Sequence, residues 1–77
     1  MTPYEKMSDA ELDAEIERQT IEIAGHEDRY DAEYQTKDHK EREFNQGVIG
    51  GILRECIARR ERAMKERRRR MGFWIAA

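Results

Sequence analysis

The fold turns on nine residues, Gln35-Thr36-Lys37-Asp38-His39-Lys40-Glu41-Arg42-Glu43, which carry no apolar side chain. On either side of them apolar residues recur at helical spacing. Upstream, Leu12, Ile16, Ile23, Tyr30 and Tyr34 follow one another at intervals of 4, 7, 7 and 4, which places them on one helix face. Gln19 and Glu27 or His26 fill the missing steps. Downstream, the spacing resumes at Phe44, Val48, Ile49, Ile52, Leu53, Cys56, Ile57, Ala63, Met64 and Met71. No period-2 run of β-branched residues competes with this pattern. The polar stretch is therefore the place where an amphipathic helical chain folds back on itself.

Helix start and stop signals agree. Ser8-Asp9-Ala10-Glu11 has the spacing of a capping box, with Met7 and Leu12 placed as a hydrophobic staple. Asp9 and Glu11 put negative charge at the positive end of the helix dipole. Asp38 and Glu41 have the spacing of a second capping box. Gly72 is placed to end a helix, with Phe73 and Trp74 beyond it, where they can pack back over Tyr4, Met7 and Leu12. The expected architecture is an all-α antiparallel helical hairpin in a single domain over residues 1–77. It has a helix over about residues 8–35, a turn at about 36–38, a helix over about 39–71 and an apolar tail, 72–77.

A rival break lies at Asn45-Gln46-Gly47 or Gly50-Gly51. Three glycines inside a helix cost roughly 1 kcal/mol each relative to alanine, so they need a reason. Either the helix ends there, or Gly47 and Gly51, four apart on one face, let another backbone approach.

The chain has 77 residues, with 42% charged and 38% hydrophobic. A chain this short buries only about 60% of its unfolded surface, which argues against an enclosed core or a deep substrate pocket. The longest apolar run, Val48 to Leu53, is far below the roughly 20 residues a membrane span needs. The N-terminal residues show no signal-peptide pattern, and a cytoplasmic, intracellular location is expected. The net charge of −2 hides an asymmetry. Residues 1–45 carry six basic and fourteen acidic side chains, a net of −8, and residues 46–77 carry nine basic and three acidic, a net of +6. Antiparallel folding lays these stripes together. A turn near residues 36–37 pairs Glu11 with Arg62, Glu5 with Arg68, and Glu15 with Ala58 and Arg59. The main effect of such pairs is on register and orientation.

Two helices make one thin seam, and Phe44, Val48, Ile49, Ile52, Leu53 and Ile57 form a wider apolar patch than that seam requires. A second contact face follows: a homodimer closing into a four-helix bundle or coiled coil, or a larger protein partner. Trp74 is a candidate anchor for the same contact.

The basic tract Arg59, Arg60, Arg62, Lys65, Arg67, Arg68, Arg69 and Arg70 is the second candidate surface, for nucleic acid or for an acidic protein. The pI of about 5.7 lies well below that of dedicated nucleic-acid binders. The acidic strip on the first helix, from Glu5 to Glu33, can in turn imitate a phosphate track and engage a basic channel on another protein. Small phage-type inhibitors work in this style.

Catalytic signals are absent from the pattern. His26 and His39 do not fall in a metal-ligand spacing with Cys56, Cys56 sits in the apolar pattern as a packed thiol, and the glycines lack the Lys-Ser/Thr of a phosphate loop. The expectation is a non-enzymatic protein, without metal, cofactor or small-molecule substrate, that binds and regulates or inhibits a larger protein. The alternative is a small RNA- or DNA-binding regulator acting through Arg59–Arg70. That alternative resembles in outline the plasmid Rop-type hairpin dimer, whose helical face binds paired RNA loops; the resemblance is one of architecture, with no motif residue behind it.

Overall fold

The structure, a computed structural model, describes residues 3–72. It is an antiparallel pair of long helices, α1 over Asp9–Ala32 and α2 over His39–Met71. A single 3-10 turn, Tyr4–Lys6, precedes α1, and another, Glu33–Gln35, continues it. Residues 36–38 form the reversal. The 33 residues of α2 span about 50 Å at the helical rise, close to the 52 Å long axis of the molecule.

The start of α1 is fixed by its own side chains. Glu11 N donates to Ser8 Oγ at 3.1 Å, and Ser8 N donates to Glu11 Oε1 at 2.9 Å. This is the reciprocal capping box expected at that spacing. At α2 only half of the pattern forms. Asp38 Oδ1 accepts from Lys40 N at 2.9 Å and Glu41 N at 3.2 Å, so Asp38 is an N-cap and Glu41 does not reach back. Gly72 caps the far end without a left-handed backbone, at φ −25°. Phe73 and Trp74, expected to fold back over the first helix, lie outside the described residues.

The glycines do not break α2. Gly47, Gly50 and Gly51 are all helical. Nor, among the described residues, does any backbone beyond the helix's own turn approach them: a Cβ built at any of the three meets nothing within 4 Å. Neither reason drawn from the sequence applies within one chain.

The seam is thin. Its buried apolar members are Leu12, Ile23, Cys56 and Ala63. Gln19 sits fully buried among them. Its Nε2 donates to Glu15 Oε1 at 2.6 Å, while its Oε1 has no partner among the described residues. Leu12, Gln19 and Ile23 share the α1 face that the heptad-like spacing marked out.

Candidate functional site

The basic tract of α2 lies largely against carboxylates of the same chain. Arg67 reaches Asp13 at 2.8 Å and Asp9 at 3.2 Å. Arg70 pairs with Asp9 at 2.8 Å and Glu66 at 3.0 Å, and also donates to the carbonyls of Glu5 at 3.1 Å and Tyr4 at 3.4 Å. Arg69 pairs with Glu66 at 2.6 Å, Arg59 with Glu55 at 3.1 Å, and Arg68 approaches Glu61 at 4.0 Å. The electrostatic result is clear at Glu66. Hydrogen bonds from Arg69 and then Arg70 hold its carboxyl down at about 2, against 4.5 ordinarily. Asp9 is lowered in the same direction, chiefly by the hydrogen bond from Arg70.

Arg60, Arg62 and Lys65 form no ion pair among the described residues. Arg60 Nε is buried without a partner among those residues. Arg62 and Lys65 are exposed and line a cleft of about 470 Å³ with Pro3, Tyr4, Glu5, Glu66 and Arg69. The stripes therefore meet as the charge asymmetry predicts, but in a shifted register. Asp9 and Asp13, rather than Glu11, face the arginines, and their partners are Arg67 and Arg70 rather than Arg62. Glu11 is occupied in its capping box. At the other end, Glu33 accepts from Asn45 at 3.3 Å, so the pairing begins beyond the first turn of α2, not at the reversal itself.

The apolar patch divides. Phe44, Val48 and Ile52 stand four apart on one flank of α2 and are 72%, 49% and 41% exposed. Phe44, Val48 and Ile49 line a groove with Arg29, Ala32 and Glu33. On the opposite flank, Leu53 lines a second groove with Tyr30, Gly47 and Gly50, and Ile57, one turn along, is exposed. Ile49 and Leu53 are half-buried. Ile21, on the outer side of α1, is a further exposed apolar residue at 66%. By its spacing it widens the apolar stripe of α1, but its exposure leaves it outside the seam. Trp74 lies outside the described residues.

One constellation escaped the sequence reading. Glu22, His26 and Cys56 each bring a ligand atom to a common point, all within 4.8 Å of one another. Spacing along the chain separated His26 from Cys56; the hairpin brings them face to face. The available signal was the four-residue interval between Glu22 and His26, which puts both on one helix face. Burial and the neighbouring Glu22 carboxylate push the Cys56 thiol up from its ordinary value. His39, by contrast, pairs with Glu43 at 3.1 Å on the exposed start of α2.

These features define the class of the molecule: an all-α, two-helix antiparallel hairpin with an ion-paired seam. No helix among the described residues is long and apolar enough to cross a membrane. The chain matches no known protein family, no curated protein and no solved structure.

Proposed function

We propose that this hairpin is a non-enzymatic interaction module that binds a larger protein and regulates or inhibits it, using the apolar flanks of α2. The observation that carries this reading is Phe44, 72% exposed and continued by Val48 and Ile52 along the same flank. An apolar arc on both sides of a helix is what a second packing neighbour requires. Gly47 and Gly51 support it, since their open Cβ positions admit a close backbone from outside the chain. A second copy of the hairpin covers the same residues in a four-helix bundle, and dimerisation belongs to this proposal.

The test compares wild type with a Phe44→Glu/Val48→Glu variant in two measurements. The first is mass in solution by light scattering. The second is affinity capture from extracts of the native host. A dimer or a captured partner that the variant loses supports the reading. A monomer that captures nothing, or capture equal in both proteins, overturns it.

Arg62 and Lys65, exposed and outside any ion pair among the described residues, favour a second reading: a small nucleic-acid regulator acting through this part of α2. It predicts absorbance at 260 nm that co-purifies at low salt and is lost at high salt. The ion pairing of Arg59, Arg67, Arg68, Arg69 and Arg70 counts against it, because those guanidinium groups already have carboxylate partners.

A further inference from the structure

We propose that Glu22, His26 and Cys56 form a binding site for a borderline-soft divalent cation, zinc above all, bridging the two helices. Glu22 and His26 present their side chains from successive turns of α1, and Cys56 comes from α2. Cys56 Sγ stands 3.7 Å from Glu22 Oε2. All three ligand atoms fall within 4.8 Å of one another. A tetrahedral zinc with bonds of about 2.0–2.3 Å holds its ligands about 3.5 Å apart. The cysteine–carboxylate pair already has that separation, and the imidazole needs a shift of about an ångström.

The donor set selects the metal. Thiolate and imidazole favour zinc over calcium or magnesium, which take oxygen ligands. Charge agrees as well. A thiolate and a carboxylate together carry two negative charges, which a divalent cation cancels. Binding forms the sulfur–metal bond and releases the thiol proton to solvent. No electron is transferred. Three protein ligands leave a fourth position for water or for a group from another molecule.

The surroundings permit this. Arg29 donates a hydrogen bond to His26 Nδ1, so its guanidinium must rotate away; Arg29 is exposed. Glu55 and Arg59 act on Cys56 with opposite sign. The site lies midway along the seam, where a bridging ion ties α1 to α2 in one register.

The experiment uses the full chain, reduced and metal-free, titrated with cobalt(II) and then with zinc. Cobalt reports thiolate ligation by a sulfur-to-metal charge-transfer band in the near ultraviolet and tetrahedral geometry by intense visible bands. The wild type is expected to bind one cobalt per chain with both signatures, and zinc is expected to displace it. Cys56→Ser abolishes the charge-transfer band. His26→Gln and Glu22→Gln each weaken binding by at least about 10-fold, since even the groups supporting a ligand are worth that much. His39→Gln leaves binding unchanged. Helix content by circular dichroism accompanies each variant. The wild-type cobalt spectrum decides the matter even if a variant fails to fold. A wild-type spectrum without the thiolate band overturns the proposal, as does equal metal affinity in wild type and Cys56→Ser, or a loss in His39→Gln equal to that in His26→Gln.

Discussion

The two ends of the hairpin are held together by different means. At the end where α1 begins and α2 finishes, Leu12 and Ala63 are fully buried, and Arg67 and Arg70 tie α2 to Asp9, Asp13 and the carbonyls of Tyr4 and Glu5. Near the reversal, the contacts are polar and few. Asn45 donates to Glu33, Gln46 Nε2 donates to the Tyr30 carbonyl at 3.2 Å, and Thr36 Oγ1 donates to Glu33 at 2.8 Å. Tyr30 and Tyr34 meet edge to face. The large apolar side chains of that region, Phe44 and Val48, face outward. The first end is held by buried apolar side chains and ion pairs, and the second leaves Phe44 and Val48 exposed.

The largest effect that tests this contrast comes from the core. Leu12→Ala removes a fully buried side chain and is expected to destabilise the chain by about 2–5 kcal/mol. Phe44→Ala removes a larger but exposed one, and the expected change in the isolated chain is within about 0.5 kcal/mol. Chemical denaturation at low protein concentration measures both. A Phe44→Ala loss comparable to that of Leu12→Ala would mean that Phe44 is packed within its own chain, and the contrast between the ends would be broken.

Acid is expected to act next, through the first end. Glu66 titrates at about 2 when folded and at 4.5 ordinarily, so folding favours its ionised form. Its stabilisation is complete above about pH 4.5 and is lost as the pH falls through that value toward 2. Asp9, also lowered, contributes with the same sign. Thermal melts from pH 6 to 2 should show a progressive loss of stability, with a shallower slope in Glu66→Gln. Identical slopes in the two proteins would show that the arginine contacts of Glu66 have no share in the stability.

Most of the fold was legible because it depends on local rules. The Ser8–Glu11 box, the polar run from Gln35 and the spacing of Leu12, Ile23 and Cys56 each act within a few residues or repeat at a fixed period. The ion-pair register was not, because it depends on where the returning helix first makes contact. Asn45 meets Glu33 beyond the first turn of α2, and the pairing of Asp9 and Asp13 with Arg67 and Arg70 is displaced accordingly. The Glu22–His26–Cys56 cluster was hidden for the same reason. Cys56 and His26 are neighbours only across the seam, and a test on linear spacing cannot detect a ligand supplied by the opposite helix. The division of the apolar patch follows from the helix period: Phe44, Val48 and Ile52 keep to one flank and Leu53 and Ile57 to the other, which a list of apolar positions does not separate.

The glycines offer the smallest effect and the sharpest reading of the loose end. Beyond the helix's own backbone, none of the described residues lies within 4 Å of a Cβ at Gly47 or Gly51, and both positions are helical. Alanine there relieves the backbone entropy cost with no clash, so each substitution is expected to stabilise the isolated hairpin by up to about 1 kcal/mol. If another backbone packs on this face, the added methyl groups obstruct it. Gly47→Ala and Gly51→Ala should then raise the unfolding midpoint at low concentration while weakening self-association or partner capture. Stability and association rising together would place the contact elsewhere on α2, and the openness of these glycines would have no part in it. Destabilisation at low concentration would show instead that the helix bends or opens at Gly47–Gly51, because an unbroken α2 has no reason to resist alanine at exposed positions.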